Sequence, residues 1–388
     1  MKTLHQSPID PAFVQNPYPF YAKARRTGDL FFWADYDMPC AVSHAAVHAL
    51  LRDRRFGREC PAERVTPPPA HLAPFYAVEA HSMLELEPPH HTRLRGLVTR
   101  AFTSRRVNAL APFIAALSHD LIDRMPTDAP FDLLPGFATP IPILTICRLL
   151  GVPGDMADQL LKWSHDMVAM YQATRSRPTE DAAARAATEF SDFMQSYINK
   201  RRSDPQDDLI TQLITAEEAG EKLSTQELIT TCILLLNAGH EATVHALANA
   251  TKCLIEHDKP DIDDATIEET LRFDPPLHMF TRYAYEDITA FGHTFQRGDQ
   301  IALLLGAAGR DPAIWTNSDR FLPERPTKPH LAFGGGLHFC VGAPLARLEL
   351  ATALPILFSR LPNLRLAAPP VYANTYHFHA LTRLMLHA

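Results

Sequence analysis

The sequence predicts a mainly α-helical protein with minor β sheets, and three observations carry that expectation. Residues 224–257 contain no proline and read as one very long helix. Helical spacing of apolar residues also dominates 91–123, 140–200 and 342–360. By contrast, 277–303 alternates in short extended pieces such as 281–285 and 300–303, and the final stretch is β-like at 364–366 and 382–386.

The elements follow in chain order. The beginning, Met1-Lys2-Thr3-Leu4-His5-Gln6-Ser7-Pro8, lacks the apolar stretch of a signal peptide, and no run of about 18 apolar residues occurs elsewhere. A soluble, cytoplasmic protein without membrane attachment is expected. Residues 60–86 include Pro67-Pro68-Pro69 and Pro74, too much proline for a stable long helix. Just beyond, in Glu87-Pro88-Pro89-His90-His91-Thr92-Arg93-Leu94-Arg95, a proline-defined start puts His91 and Arg95 on one helix face. Two donors on one face suit an anionic ligand; a solvated basic helix is the alternative.

The long helix opens with a Ser224-x-x-Glu227 capping box. At about 1.5 Å per residue it would reach roughly 50 Å. Its middle, Ile233-Leu234-Leu235-Leu236-Asn237-Ala238-Gly239-His240-Glu241-Ala242-Thr243, turns abruptly from apolar to polar. A mid-helix glycine costs about 1 kcal/mol, so this point is expected either to distort locally or to pack closely against a neighbour. Further on, Glu269 and Arg272 are three apart and face each other on a helix. Alone, that pair is an ordinary surface feature.

Near the end stands Phe333-Gly334-Gly335-Gly336-Leu337-His338-Phe339-Cys340-Val341-Gly342. Glycines on both sides of one thiol let backbone approach a flat bulky group and aim N–H groups at sulfur. Such a thiol suits ligation; a buried cysteine in a glycine-rich turn is the plain alternative. The six cysteines show no C-x-x-C spacing and no secreted disulfide pattern.

Composition bounds the rest. The 388 residues are 46% hydrophobic, enough for a large core. The 33 prolines are spread along the chain, and no Gly/Ser run, charge block or repeat marks a boundary, so residues 1–388 are expected to form a single domain. A net charge of −7 argues against nucleic-acid binding.

Taken together, these segments, in this order, resemble the cytochrome P450 family along nearly the whole chain. The cysteine segment matches its F-G-x-G-x-H-x-C-x-G haem signature at every fixed position, from Phe333 through His338 and Cys340 to Gly342. Glu269 and Arg272 match its E-x-x-R pair, and Ala238-Gly239-His240-Glu241 its A-G-x-E element. Asn16-Pro17-Tyr18-Pro19-Phe20-Tyr21 and Gly309-Arg310-Asp311-Pro312 agree as well.

The resemblance implies a helical fold with the long central helix over haem b, and Cys340 as axial thiolate ligand of its iron. It implies propionate contacts from His91, Arg95, Arg282 and His338, since buried carboxylates need charged or hydrogen-bonding partners. Glu269 and Arg272 would be scaffold beneath the cysteine loop. A thiolate ligand favours O–O cleavage, so the implied reaction inserts one oxygen atom from O2 into a small-to-medium organic substrate, by hydroxylation or epoxidation. Electrons would come from a separate ferredoxin and ferredoxin reductase, and Arg93, Arg95, Arg100, Arg105 and Arg106 crowd one segment where an acidic ferredoxin could dock. A monomer is expected. Residues 60–86 match the variable lid.

One departure stands out. The family usually follows the acid of the central helix with threonine; here Glu241 is followed by Ala242, which can neither donate nor accept. Thr243 lies about 100° further around the helix. An ordered water or a substrate hydroxyl replaces the alcohol, or hydrogen peroxide supplies the oxygen, or the protein binds haem with little or no turnover. By position, the substrate pocket would be lined by Leu234, Asn237, Ala238 and Ala242, by Leu277, His278, Met279 and Phe280, and by Phe378 with Tyr376 and His377. Asn237 and His278 imply a substrate with polar groups.

Overall fold

The computed structural model describes residues 1–126, 128–172, 175–218, 223–258, 261–326 and 328–388. Helices dominate, as expected, and the strands collect in small sheets. The chain gathers into two compact units: Met1–Arg64 with Ala115–Ala138 and Ala242–Ala388, and Val65–Ile114 with Thr139–Glu241. Each combines distant segments, so no single linker separates them.

The first unit is built on a six-stranded sheet whose order is Lys2–Leu4, Leu30–Trp33, Met38–Ala41, Gln300–Leu304, Met279–Ala284 and Phe56–Gly57. Only its two later strands were legible as extended sequence. One face of the sheet buries Leu30, Phe56, Phe295, Ile301 and Leu303, with Phe280 packed against them. A second cluster gathers Phe13, Phe20, Tyr21, Phe31 and Trp33 around Met279. The extended pieces expected near 365 and 385 pair with each other and with Phe131–Asp132.

The helix Asp264–Phe273 begins where Asp263 accepts from the Thr266 N–H at 2.8 Å and ends before Pro275-Pro276. The helix Ala343–Arg360 starts three residues past the signature cysteine, with Pro344 in its first turn.

The second unit is helical. Pro140–Leu150 stops at Gly151, whose φ of 84° is the left-handed conformation that favours glycine. Ala157–Val168 and Arg177–Ser203 follow, the latter capped by Ser176 and ending in Lys200, Arg201 and Arg202, which complement the helix dipole. The proline-rich stretch forms only short pieces, chiefly Ala73–Glu79.

The central helix runs from Thr225 to Glu256 without interruption. Its capping box closes in both directions: the Ser224 N–H donates to Glu227 Oε2 at 2.7 Å, and the Glu227 N–H to Ser224 Oγ at 3.2 Å. A side chain at Gly239 would stand 3.2 Å from Ile146 Cγ1 and 3.3 Å from its Cδ1. Close packing, rather than a distortion, therefore accounts for the glycine. Among the described residues no helix is long and apolar enough to cross a membrane.

Candidate active site

Cys340 lies in the turn between a single helical turn at Gly336–His338 and the helix Ala343–Arg360. Its N–H donates to the Phe333 carbonyl at 3.0 Å, closing the loop. It is the exposed member of the six cysteines; Cys40, Cys147, Cys232 and Cys253 are buried. Burial pushes the Cys147 and Cys232 thiols up to about 12 and raises Cys40 and Cys253 further, so these sulfurs stay protonated and unsuited to ligation.

The glycines serve packing more than approach to sulfur. Gly336 has φ 67°, and a Cβ there would collide with the Leu51 carbonyl oxygen. A Cβ on Gly334 would stand 3.3 Å from Phe280 Cε2, and one on Gly335 2.8 Å from Arg52 Nη1. Gly342 alone faces the sulfur, with 3.8 Å to Cys340 Sγ.

The E-x-x-R pair is buried scaffold. Arg272 donates from Nε and Nη2 to the two Glu269 oxygens, each at 2.7 Å, and from Nη1 to the Gly309 and Ser318 carbonyls. Glu269 also accepts from the Leu322 N–H and Arg325. These contacts fix residues 309–325. The tie to the cysteine loop comes instead from Glu268, which no motif singles out.

Arg347, in the helix after Cys340, donates to both Glu268 oxygens at 2.5 and 2.9 Å, and its guanidinium covers the Phe333 ring at 4.5 Å. His330 Nδ1 accepts from the Ala332 N–H, so its Nε2 carries the proton donated to Glu268 at 3.1 Å. Burial alone would raise the Glu268 carboxyl, but Arg347 and His330 outweigh it and hold the group at about 2.

On the central helix, Leu234, Asn237, Ala238, Glu241, Ala242 and His245 recur at helical spacing, and each is less covered than Leu235, Leu236, His240, Thr243, Val244 and Ala246. Thr243 is buried off the stripe and does not take the place of an alcohol at 242. Asn237 Nδ2 reaches Met167 Sδ at 3.7 Å, while its buried Oδ1 makes no hydrogen bond among the described residues. Glu241 Oε2 lies 3.3 Å from His165 Nε2, and this hydrogen bond raises the His165 pKa.

The expected pocket residues after the E-x-x-R helix divide. Leu277 and Phe378 pair through a β-bridge, and Phe378 meets His245 at 6.4 Å between ring centroids. His278, expected to offer a ligand hydrogen bond, is instead fully buried, with Tyr21 at 2.9 Å from Nδ1 and Tyr18 at 3.5 Å from Nε2. Met279 belongs to the aromatic cluster, and Phe280 packs on the sheet core and Gly334. His278 and Met279 thus support the walls rather than the lining, whereas Phe280 is half-buried beside the cysteine loop. Tyr376 is likewise buried, hydrogen-bonded to Tyr21 at 2.8 Å.

A loop that exposes one thiol under a glycine turn, with a capped central helix bearing an open stripe, agrees with one family. The profile described as Cytochrome P450 matches residues 24–263 and 261–362. The chain belongs to the cytochrome P450 family. It is 35% identical over 375 residues to the biotin biosynthesis cytochrome P450 of Bacillus subtilis (strain 168), covering 94% of each chain. The mycinamicin IV hydroxylase/epoxidase of Micromonospora griseorubida is 38% identical over 299 residues, 74% of each chain. The solved P450BioI in complex with hexadec-9Z-enoic acid ligated acyl carrier protein superposes with a TM-score of 0.91 at 34% identity, covering 97% of this chain and 99% of that one.

Membership makes the protein a cytochrome P450 monooxygenase and implies haem. The residues of the first unit fit such a group. Arg282 is buried on the strand Met279–Ala284 and alternates onto the same side as Phe280, which meets the cysteine loop. A buried guanidinium there suits a carboxylate, and one of its N–H groups donates to the Thr281 carbonyl at 2.8 Å. His338 lies in the signature turn itself. His91 and Arg95 sit on the helix His90–Ala101 of the second unit, His91 buried and Arg95 half-buried. Two of the arginines expected to face a redox partner are engaged within the molecule: Arg93 pairs with Glu227, and Arg106 with Asp207 at 2.7 Å.

Proposed function

We propose that this P450 holds haem b through Cys340 and hydroxylates or epoxidises a small-to-medium organic substrate, using electrons from a separate ferredoxin and ferredoxin reductase. The exposed Cys340 thiol, set apart from four buried cysteines, carries the reading. By motif position His91, Arg95, Arg282 and His338 answer the propionates, and the chain acts as one catalytic domain, a cytoplasmic monomer.

Haem ligated by a thiolate supplies the activation of dioxygen. The chain supplies orientation and protons. The central-helix stripe receives substrate: Leu234 and Ala238 offer apolar surface, and Asn237 Oδ1 offers an acceptor to a substrate hydroxyl or amide. Glu241, beside the vacant alcohol position, accepts and passes a proton at its carboxylate; with Ala242 in place of threonine, a water or the substrate's own hydroxyl completes that path.

The carbon monoxide spectrum of the reduced protein tests the ligand. A thiolate-type Soret band that Cys340→Ala abolishes is expected; a histidine-type band in intact protein, or a variant that keeps the spectrum, overturns the assignment. Ala242 favours one rival, a peroxide-driven reaction, and turnover with hydrogen peroxide far exceeding turnover with NADH and surrogate ferredoxin partners would establish it instead.

A further inference from the structure

His240 is fully buried in the central helix, and its Nδ1 lies 2.8 Å from the Leu236 carbonyl oxygen. A carbonyl only accepts, so Nδ1 carries a proton, and with a single proton on the ring Nε2 presents a lone pair. That nitrogen makes no hydrogen bond among the described residues, yet it stands 3.4 Å from Glu241 Oε2. His165 Nε2, from the helix Ala157–Val168, approaches the same oxygen at 3.3 Å. A proton shared by His165 and Glu241 satisfies those two groups and leaves the His240 lone pair facing a carboxylate. A cation common to all three removes the conflict.

The spacing suits a small tetrahedral cation. Tetrahedral zinc with bonds of about 2.0–2.1 Å holds neighbouring ligand atoms about 3.3–3.4 Å apart. The two separations to Glu241 Oε2, 3.3 and 3.4 Å, match that edge, and all three ligand atoms lie within 4.8 Å of one another. We propose that His165, His240 and Glu241 bind a divalent transition-metal ion of the zinc type, with water in the fourth position; a bound ion takes Glu241 Oε2 out of the proton path proposed above. Two imidazoles and one carboxylate suit zinc better than magnesium or calcium, which prefer all-oxygen shells. The Leu236 carbonyl orients the His240 ring as the outer partner of a metal-bound histidine commonly does.

In the other histidine–carboxylate group, Asp274 with His278 and His379, the buried His379 Nε2 also makes no hydrogen bond among the described residues, but the carboxylate is already saturated. Asp274 accepts from Tyr18, Tyr372 and His379, each at 2.8 Å, and lies 3.8 Å from Lys252.

Calorimetric titration of the full chain, chelator-treated and returned to metal-free buffer, with zinc chloride tests the site without reference to turnover. One ion per chain is expected, with Kd raised at least tenfold by His165→Ala and by Glu241→Gln, and unchanged by His5→Ala on an exposed position. His165 is 56% exposed, so its truncation leaves the core intact, and matching circular dichroism melts confirm this. Absence of saturable binding, or a titration that His165→Ala leaves unaltered, overturns the proposal. Zinc-edge absorption gives an independent reading: a shell of nitrogen and oxygen at about 2.0–2.1 Å is expected, and a shell containing sulfur at about 2.3 Å overturns it.

Discussion

Gly239 shows how one residue can satisfy a family motif for a local reason. Alanine would improve the helix by up to about 1 kcal/mol. Its Cβ, however, would meet Ile146, itself buried, at 3.2 Å, and overpacking of this kind costs about 1–3 kcal/mol. Gly239→Ala is therefore expected to destabilise by about 1 kcal/mol. A denaturant double-mutant cycle with Ile146→Ala checks the cause: the pair should be less destabilised than the sum of singles by about 0.5 kcal/mol or more. Additive effects would show that the glycine has another purpose. At Ala242, by contrast, sequence and structure agree directly, because helical periodicity alone turned Thr243 away from the stripe.

Between elements, the attachment of the cysteine loop to the helix Asp264–Phe273 rests on Glu268 rather than on the motif pair beside it. Glu268→Gln keeps the shape but removes the charge that Arg347 and His330 share. Because Arg347 is 37% exposed, solvent screening limits the loss to about 1 kcal/mol at neutral pH. The sign with acid follows from a carboxyl held at about 2, below its ordinary value of 4.5. Its contribution is complete above that ordinary value and is lost as pH falls toward the folded value. Urea melts of the two proteins should therefore differ at pH 7 and converge as pH drops from about 4.5 toward 2; a difference independent of pH would place the effect in packing.

The same element scale separates what could be read from the sequence. The capping box, the uninterrupted central helix and the cysteine turn are local patterns, complete within a few residues. The strands Lys2–Leu4, Leu30–Trp33 and Met38–Ala41 are too short to show periodicity, and Met38–Ala41 pairs in parallel with Gln300–Leu304 from the far end of the chain. His165 and Glu268 escaped for a related reason: each acquires its role from a partner on another helix, and nothing in its own neighbourhood announces that partner. His278 and Met279 misled in the opposite way, since proximity to a motif in sequence did not say which way the side chains turned.

For the molecule as a whole, the net charge of −7 sets a constraint on electron delivery. If the proposed ferredoxin is acidic, a chain of this sign repels it at long range, and productive encounter would then depend on a local basic surface within about one Debye length, roughly 10 Å at 0.1 M salt. With Arg93 and Arg106 drawn into internal ion pairs, Arg105 is an exposed cation of that segment suited to the task. Arg105→Glu should lower the rate of ferredoxin-supported reduction by about tenfold at low ionic strength, because steering acts on association, and by much less at 0.5 M salt, where the field is screened. Peroxide-supported turnover, which needs no partner, should be unchanged. Stopped-flow reduction across a salt series separates the outcomes: an equal decline at every ionic strength would place Arg105 in the stability of the fold, and no decline at low salt would move the docking surface elsewhere.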